Sequence, residues 1–390
     1  MFNTPKAYLG NGLKRRATHG PILAQATNLG PARMADLSEL SYQKLAWANT
    51  WYLRENTLKD AITAIVNFHH SLPLSGSWGG GTLSSSDGQR FPVDVKSRNA
   101  RALSRYFGYG KGVTFYSWTS DQFSQYWTKV IPSTVRDATH VLDGILGNET
   151  ELQVLEHSVD TTGFTEIVFA LFSALGLRFS PRIRGVVDQR LYGFEGMADS
   201  GFGGSLLKGK VDEKLILRHW DDIMRVAGSL KLGWVTSSLL VSRLQAKPCK
   251  SSLTRAIQAY GRLRKTMFLL KYMEDVDLRK RINRQLNKGE ELHALRKFLF
   301  FANEGNVRKH QPEGQTEQAL CLNLLADAVI AWNTVQYEKI LTEMRLEGYP
   351  LNEEDLVHIS PTRYGHINPY GRYHFDLEAG ADATSLLSSP

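Results

Sequence analysis

The chain has 390 residues, 42% of them hydrophobic, with only two cysteines, so it can bury two or three domains' worth of core and is neither disordered nor built on disulfides. No apolar run approaches the roughly 18 residues a bilayer crossing needs, and no apolar signal core opens the chain; with Cys249 and Cys321 alone, a reducing cytoplasm is expected. The net charge of +8 is uneven: residues 243–309 hold seventeen Lys/Arg against six Asp/Glu, a local +11 that leaves −3 elsewhere, and such concentration suits a polyanion, most simply nucleic acid.

In chain order, a polar start gives way to helices at 42–53 and 58–68, after a loop at Asn28-Leu29-Gly30. The GSWGGG stretch at 76–81 is a breaker. From residue 82 the texture is that of strands, at 91–95 and 113–118, with GYGKG (108–112) read as a tight turn. Asp121 is expected to open a helix to about Val130. A strand at 154–159 ends at Asp160. Phe164, Val168, Leu171, Phe172 and Leu175 then share one helix face, stopped by Gly176. A short strand follows near Arg178, limited by Pro181. The glycine-rich stretch 193–210 reads as a loop, and 212–337 as helical. Leu253, Ile257, Tyr260, Leu263, Met267 and Leu270 form one apolar stripe, and Leu292, Leu295, Phe298, Leu299 and Ala302 another. The Ala-, Ser- and Pro-rich tail after Phe375 reads as disordered. Strands first and helices interleaved later predict a mixed α/β fold.

Three acidic residues stand out. Asp87 sits in SSSDG, placed just before a strand, and Asp160 closes a strand. Carboxylates at strand ends suit Mg²⁺, which wants hard oxygen ligands; the plain alternatives are a turn residue and a helix cap. Glu290 reads as the start of the helix after Gly289. It points away from the Leu292–Ala302 stripe and shares its side with His293 and Lys297, or it is a solvated glutamate in a first helical turn. His69-His70 lacks zinc-site spacing, the cysteines form no CxxC, and no Gly-x-Ser-x-Gly elbow occurs.

Several unusual words then occur in one order: NLGPARMA (28–35), SSSDGQRF (84–91), HSVDTTGFTE (157–166), RFSPRIR (178–184), WDDIMRVAGSLKLG (220–233), LNKGE (286–290), LNLLADAVIAWNT (322–334) and HIN (366–368). As an ordered set they resemble the C-terminal catalytic region of bacterial DDE transposases of the Tn-three (Tn3) family, from about Asn28 to Phe375.

That resemblance implies an RNase H-like mixed sheet with flanking helices and a long helical insertion before the last catalytic helix. It divides the chain into an N-terminal helical segment (1–78), a first part of the core (79–190), a basic helical insertion (191–285), the last core helices (286–340) and a C-terminal extension (341–390). It implies that Asp87, Asp160 and Glu290 bind two Mg²⁺ ions, with Mn²⁺ able to substitute; Glu291 and Glu304 are the alternatives for the third acid. The implied reaction nicks the transposon's 3′ ends and transfers them to target DNA in replicative transposition, by an enzyme that oligomerises on DNA. Candidate DNA contacts are Arg178, Arg182 and Arg184 after the second acid, and Arg262, Arg264, Lys265, Arg279, Lys280, Arg281 and Arg284 in the insertion, where backbone contacts need only cations in reach. The resemblance omits the family's N-terminal region, which binds the terminal inverted repeats. A fragment or a decayed element is therefore expected, and an inactive DNA-binding remnant or a nuclease on the same fold stay open.

Overall fold

A computed structural model describes residues 11–195, 207–246 and 251–375; the expected tail, Cys249 and the middle of the glycine-rich stretch lie outside them. Four helices open the fold, α1 (Asn11–Ala26), α2 (Gly30–Asp36), α3 (Tyr42–Tyr52) and α4 (Glu55–Ser71). Leu58, Ile62, Val66 and His69 recur at helical spacing and form the buried side of α4. One turn of helix, α5 (Ser75–Trp78), leads into the sheet.

The sheet is mixed. Its strands are β1 (Leu83–Val93), β2 (Arg101–Ala102), β3 (Lys111–Ser120), β4 (Gln125–Pro132), β5 (Glu156–Val159) and β6 (Arg178–Phe179), with short helices α6 (Ser104–Phe107) and α7 (Asp143–Leu146) and the buried α8 (Glu166–Ala174) between them. β1 pairs antiparallel with β3 and parallel with β5; β3 also pairs with β2 and β4, and β5 with β6. Beyond it lie a parallel pair, β7 (Leu191–Gly193) and β8 (Leu207–Lys210), then helices α9 (Glu213–Arg218), α10 (Trp220–Lys231), α11 (Ser237–Gln245), α12 (Ser252–Glu274), α13 (Val276–Leu299) and α14 (Pro312–Leu346). Among the described residues α14 is the one helix long and apolar enough to cross a bilayer; 67% of its most apolar window is buried within the protein.

Strand alternation decides what β1 offers to each side. Ser85, Gln89 and Phe91 face α13 and the residues just after it, through Gln285, the His293 carbonyl and the Phe300 ring. Asp87 lies on that same side. Ser84 and Ser86 turn the other way and hold both ring nitrogens of buried His157, at 2.7 and 2.8 Å. Burial lowers His157 to about 3. Its folded pKa lies below the unfolded value near 6.5, so its contribution to stability is intact above 6.5 and is lost as pH falls toward 3. Denaturant unfolding of the native chain should lose about 1 kcal/mol between pH 7.5 and 5.5 that His157→Asn does not lose. Equal pH dependence in the two would contradict the buried neutral ring.

Five expectations needed correction. Asp87 does not precede a strand but lies in the middle of β1; the polar Ser84–Ser86 run stays in the sheet because buried partners satisfy its hydroxyls. Residues 121–130 are not a helix. Asp121 accepts from the Gly81 N–H at 2.9 Å, the chain turns at Phe123 (φ 73°), and β4 pairs back on β3. Glu290 does not begin a helix, because α13 starts at Val276 under an Asp275 cap and runs through Gly289. In α12 the buried stripe shifts at its C-terminal end: Met267 and Leu270 are half exposed, and Thr266 and Leu269 are buried instead. The glycine-rich stretch, finally, begins and ends in the β7–β8 pair rather than being loop throughout.

Helix α12 packs closely against α8. Gly261 of α12 lies against the Glu166 carbonyl so closely that a Cβ would overlap it, and Arg262 clamps the Glu166 carboxylate at 2.9 Å. Gly261→Ala should lower stability by about 1–3 kcal/mol, despite alanine's better helix propensity, because backbone on both sides must part. Thermal unfolding checks this; an unchanged or raised midpoint would refute the close packing.

Candidate active site

The site is where α13 crosses β1. Asp87, Glu290 and His293 each offer a ligand atom, and those atoms all lie within 4.8 Å of one another. His293 Nδ1 is 3.9 Å from Asp87 Oδ2 and 3.9 Å from Glu290 Oε2. Glu290 and His293 are three residues apart and so share a helix face. Arg296, one turn further along and fully buried, donates from Nη1 to Ser117 Oγ at 2.6 Å. Ser117 is the cross-strand partner of Asp87, so this buried contact pins α13 at the level of the site.

Asp160 comes from the neighbouring strand. β1 and β5 run parallel with Ser86 opposite Val159, so Asp87 and Asp160 are the next residues along each, with backbones about 5 Å apart. Burial raises the Asp87 carboxyl to about 6; the Gly88 N–H that it accepts opposes this, and the Asp160 charge reinforces it. Burial also pushes Asp160 up, but the Thr161 N–H and the Arg182 guanidinium outweigh it and hold Asp160 below its ordinary value. Arg182 Nε and Nη2 both lie 2.9 Å from Asp160 Oδ1. Burial, then Arg296, lowers His293 to about 4, so it is neutral at pH 7 and presents no positive charge to a cation. Two neighbouring carboxylates that disfavour joint ionisation, a third on the facing helix and a neutral imidazole form a donor set that fits a hard divalent ion.

Comparison with known proteins gives this arrangement a family. Residues 12–373 match the family model for the Tn3 transposase DDE domain. The chain belongs to that family. It is 39% identical over 366 residues to the transposase of transposon Tn1546 from Enterococcus faecium, covering 94% of this chain and 37% of that protein. It is likewise 39% identical over 358 residues to the transposase of transposon gamma-delta from Escherichia coli K12, covering 91% and 36%. A more distant relative, the transposase of Tn4556 from Streptomyces fradiae, is 31% identical over 357 residues, covering 91% and 40%. The chain thus spans little more than a third of the length of these curated relatives.

The other candidates for a third acid of this family member point elsewhere. Glu291 accepts from Ser360 Oγ at 2.5 Å and Thr362 Oγ1 at 3.0 Å, tying the C-terminal extension to α13. Glu304 lies beyond α13 in a left-handed kink with Asn303. One group near the site has no signal in the sequence, and a second is marked there only by the face it shares. Asp137, in the turn after β4, is raised to about 6 by burial and then by Asp87; it reaches the site only through the β3–β4 hairpin, so no local signal marks it. His293 was visible only as sharing Glu290's face.

Many of the expected DNA-contact cations are engaged within the protein. Arg281 makes a bidentate pair with buried Glu156 at 2.9 and 3.0 Å, with Arg178 behind it at 3.5 Å. Arg182 holds Asp160, Arg262 holds Glu166 and Lys280 holds Asp277. Arg279 donates to the carbonyls of Tyr272 and Met273, and Lys265 lies over the Phe164 ring. Arg184, Arg264 and Arg284 are exposed and, among the described residues, pair with no carboxylate.

Proposed function

We propose that this chain is the catalytic part of a replicative DNA transposase, with an RNase H-like core whose Asp87, Asp160 and Glu290 hold two Mg²⁺ ions. When bound, such ions activate the attacking oxygen and stabilise the leaving one. The reaction would be nicking of transposon 3′ ends by water, then attack of the freed 3′-hydroxyls on target DNA, carried out in the cytoplasm by chains that oligomerise on DNA. The observation that carries this reading is the convergence of Asp87 from β1 with Glu290 and His293 from α13, beside Asp160 at the end of β5. Asp87, on the rigid centre of the sheet, supplies the fixed ligand. Glu290 reaches in from a largely exposed position, its side chain 73% accessible, and can follow a DNA phosphate. Arg182 engages Asp160 through Oδ1, which leaves Oδ2 to meet an ion while the guanidinium stays beside the site, within reach of a DNA phosphate.

The test is strand transfer of pre-nicked transposon ends with the full chain. Joined product that needs a divalent cation supports the reading. Cutting without joining would make the chain a nuclease, and DNA binding with neither reaction an inactive remnant. Binding itself should fall steeply between about 50 and 200 mM salt, since each neutralised phosphate releases counterions.

A further inference from the structure

Segment 94–111, which joins β1 to β3, carries five cations, Lys96, Arg98, Arg101, Arg105 and Lys111, against the single acid Asp94. All five are exposed, and none forms an ion pair with a carboxylate among the described residues. Arg101 donates instead to the carbonyls of Arg98 and Ala100 at 2.7 and 3.1 Å, which fixes the guanidinium without neutralising it. This is the reverse of the insertion, where many of the basic side chains are matched internally. Like charges gathered on one short segment repel unless an outside anion compensates them.

Two aromatic rings are interleaved with these charges. Tyr106 is 48% exposed and Tyr109, at the tip between Gly108 and Gly110, is fully exposed. Arg90 lies 4.1 Å from the centroid of the Tyr106 ring, with Arg105 at 5.5 Å. Because Arg90 is on β1, three residues beyond Asp87, this stack ties the segment to the strand that carries the candidate site.

The backbone also leaves a route. β5 pairs β1 only as far as Ser86, so beyond Asp87 that edge of β1 has no strand neighbour among the described residues until Val307 donates to the Pro92 carbonyl at 2.8 Å. Arg308, exposed, follows at that point, and His310 meets the Lys96 carbonyl at 3.3 Å. A polyanion lying along this edge would pass from Asp87 to the basic segment. From Ser117, opposite Asp87, to Lys111 is six strand residues, about 20 Å or six base-pair steps of duplex.

We propose that residues 96–111 with Arg308 form a second DNA-contact surface, holding the strand that leads away from the candidate active site and stacking an unpaired base on Tyr109. This rests on the transposase reading above. Cations in a row meet phosphates without regard to sequence, and an exposed aromatic accepts any base face.

The experiment measures binding of the full chain, in EDTA so that no chemistry intervenes, to a labelled duplex and to the same duplex ending in an unpaired fork. Replacing Arg101 and Arg105 together by Ala should weaken both DNAs and lower the salt slope of log affinity by about 2. Tyr109→Ala should weaken the forked DNA roughly 5- to 150-fold and change the plain duplex less than about twofold. An unchanged slope in the double variant overturns the contact surface. Equal effects of Tyr109→Ala on the two DNAs, or none on either, overturn the stacking. Either result beside normal strand transfer by the native chain leaves the transposase reading standing. A native chain that binds neither DNA overturns both.

Discussion

Asp87→Asn should lower divalent-dependent strand transfer by at least about 100-fold, roughly 2.7 kcal/mol of barrier, because it removes a ligand charge where even indirect supports of a metal site typically matter 10- to 100-fold. The same substitution should not harm the fold. Asp87's folded pKa, about 6, lies above the usual carboxylate value of 3.8. A raised folded value means the stabilising contribution is full below about 3.8 and is lost as pH rises through 6. At pH 7.5 in EDTA the native chain therefore holds an unfavourable charge that asparagine lacks, and the variant should melt at or above the native temperature. Divalent ion should raise the native melting point and leave that of the variant almost unmoved. A variant that is both inactive and much less stable would make Asp87 a structural residue of β1. Full activity would remove it from the site. Asp160→Asn should lose activity similarly, and it also frees Arg182 from its ion pair, so its DNA affinity should hold or rise.

Glu290→Gln against Glu291→Gln separates two neighbours that sequence alone cannot. Glu290 approaches Asp87 and His293, whereas Glu291 is occupied by Ser360 and Thr362. Three carboxylates bring −3 to the +4 of two divalent ions, and Glu290→Gln leaves −2. Rate and metal affinity should both fall, the rate by at least about 100-fold, with little change in melting because the Glu290 side chain is mostly exposed. Glu291→Gln should do the opposite: activity within several-fold, and a stability loss of about 1 kcal/mol from weakened charge-assisted hydrogen bonds. Isothermal titration with Mg²⁺ or Mn²⁺, beside thermal melts, reads both. If Glu291→Gln abolished metal binding while Glu290→Gln did not, the third ligand would have to be reassigned.

The legibility of this chain in its sequence follows the range of the interactions involved. Helix α4 and the presence of α8 were visible because 3.6-residue periodicity is local, though α8 is buried on all sides rather than on one face, and Gly176 was recognisable as a stop, which it makes with φ 78°. The ordered family words marked Asp87, Asp160 and Glu290 before any geometry was known. The misread segments are those whose conformation depends on distant partners. SSSDG looks like a turn until His157, Tyr116 and Gln285 satisfy its serines inside a sheet. Asp121 looks like a helix cap until its carboxylate meets Gly81 forty residues earlier.

Composition, the helical periods and the ordered motifs therefore determined by themselves that this is a mixed α/β, basic chain of the Tn3 transposase family, with three acids worth testing. Only the tertiary structure decided which glutamate of the Glu290–Glu291 pair approaches Asp87, that Asp160 is held by Arg182, and which cations remain unpaired. One helical step of 100° sends adjacent carboxylates to different neighbours. Whether a surface arginine faces solvent or a buried acid depends on a residue that can lie more than a hundred positions away, as Arg281 and Glu156 do. A cation count along the chain carries no trace of that pairing, so it cannot separate the cations that are matched within the protein from those left open to solvent.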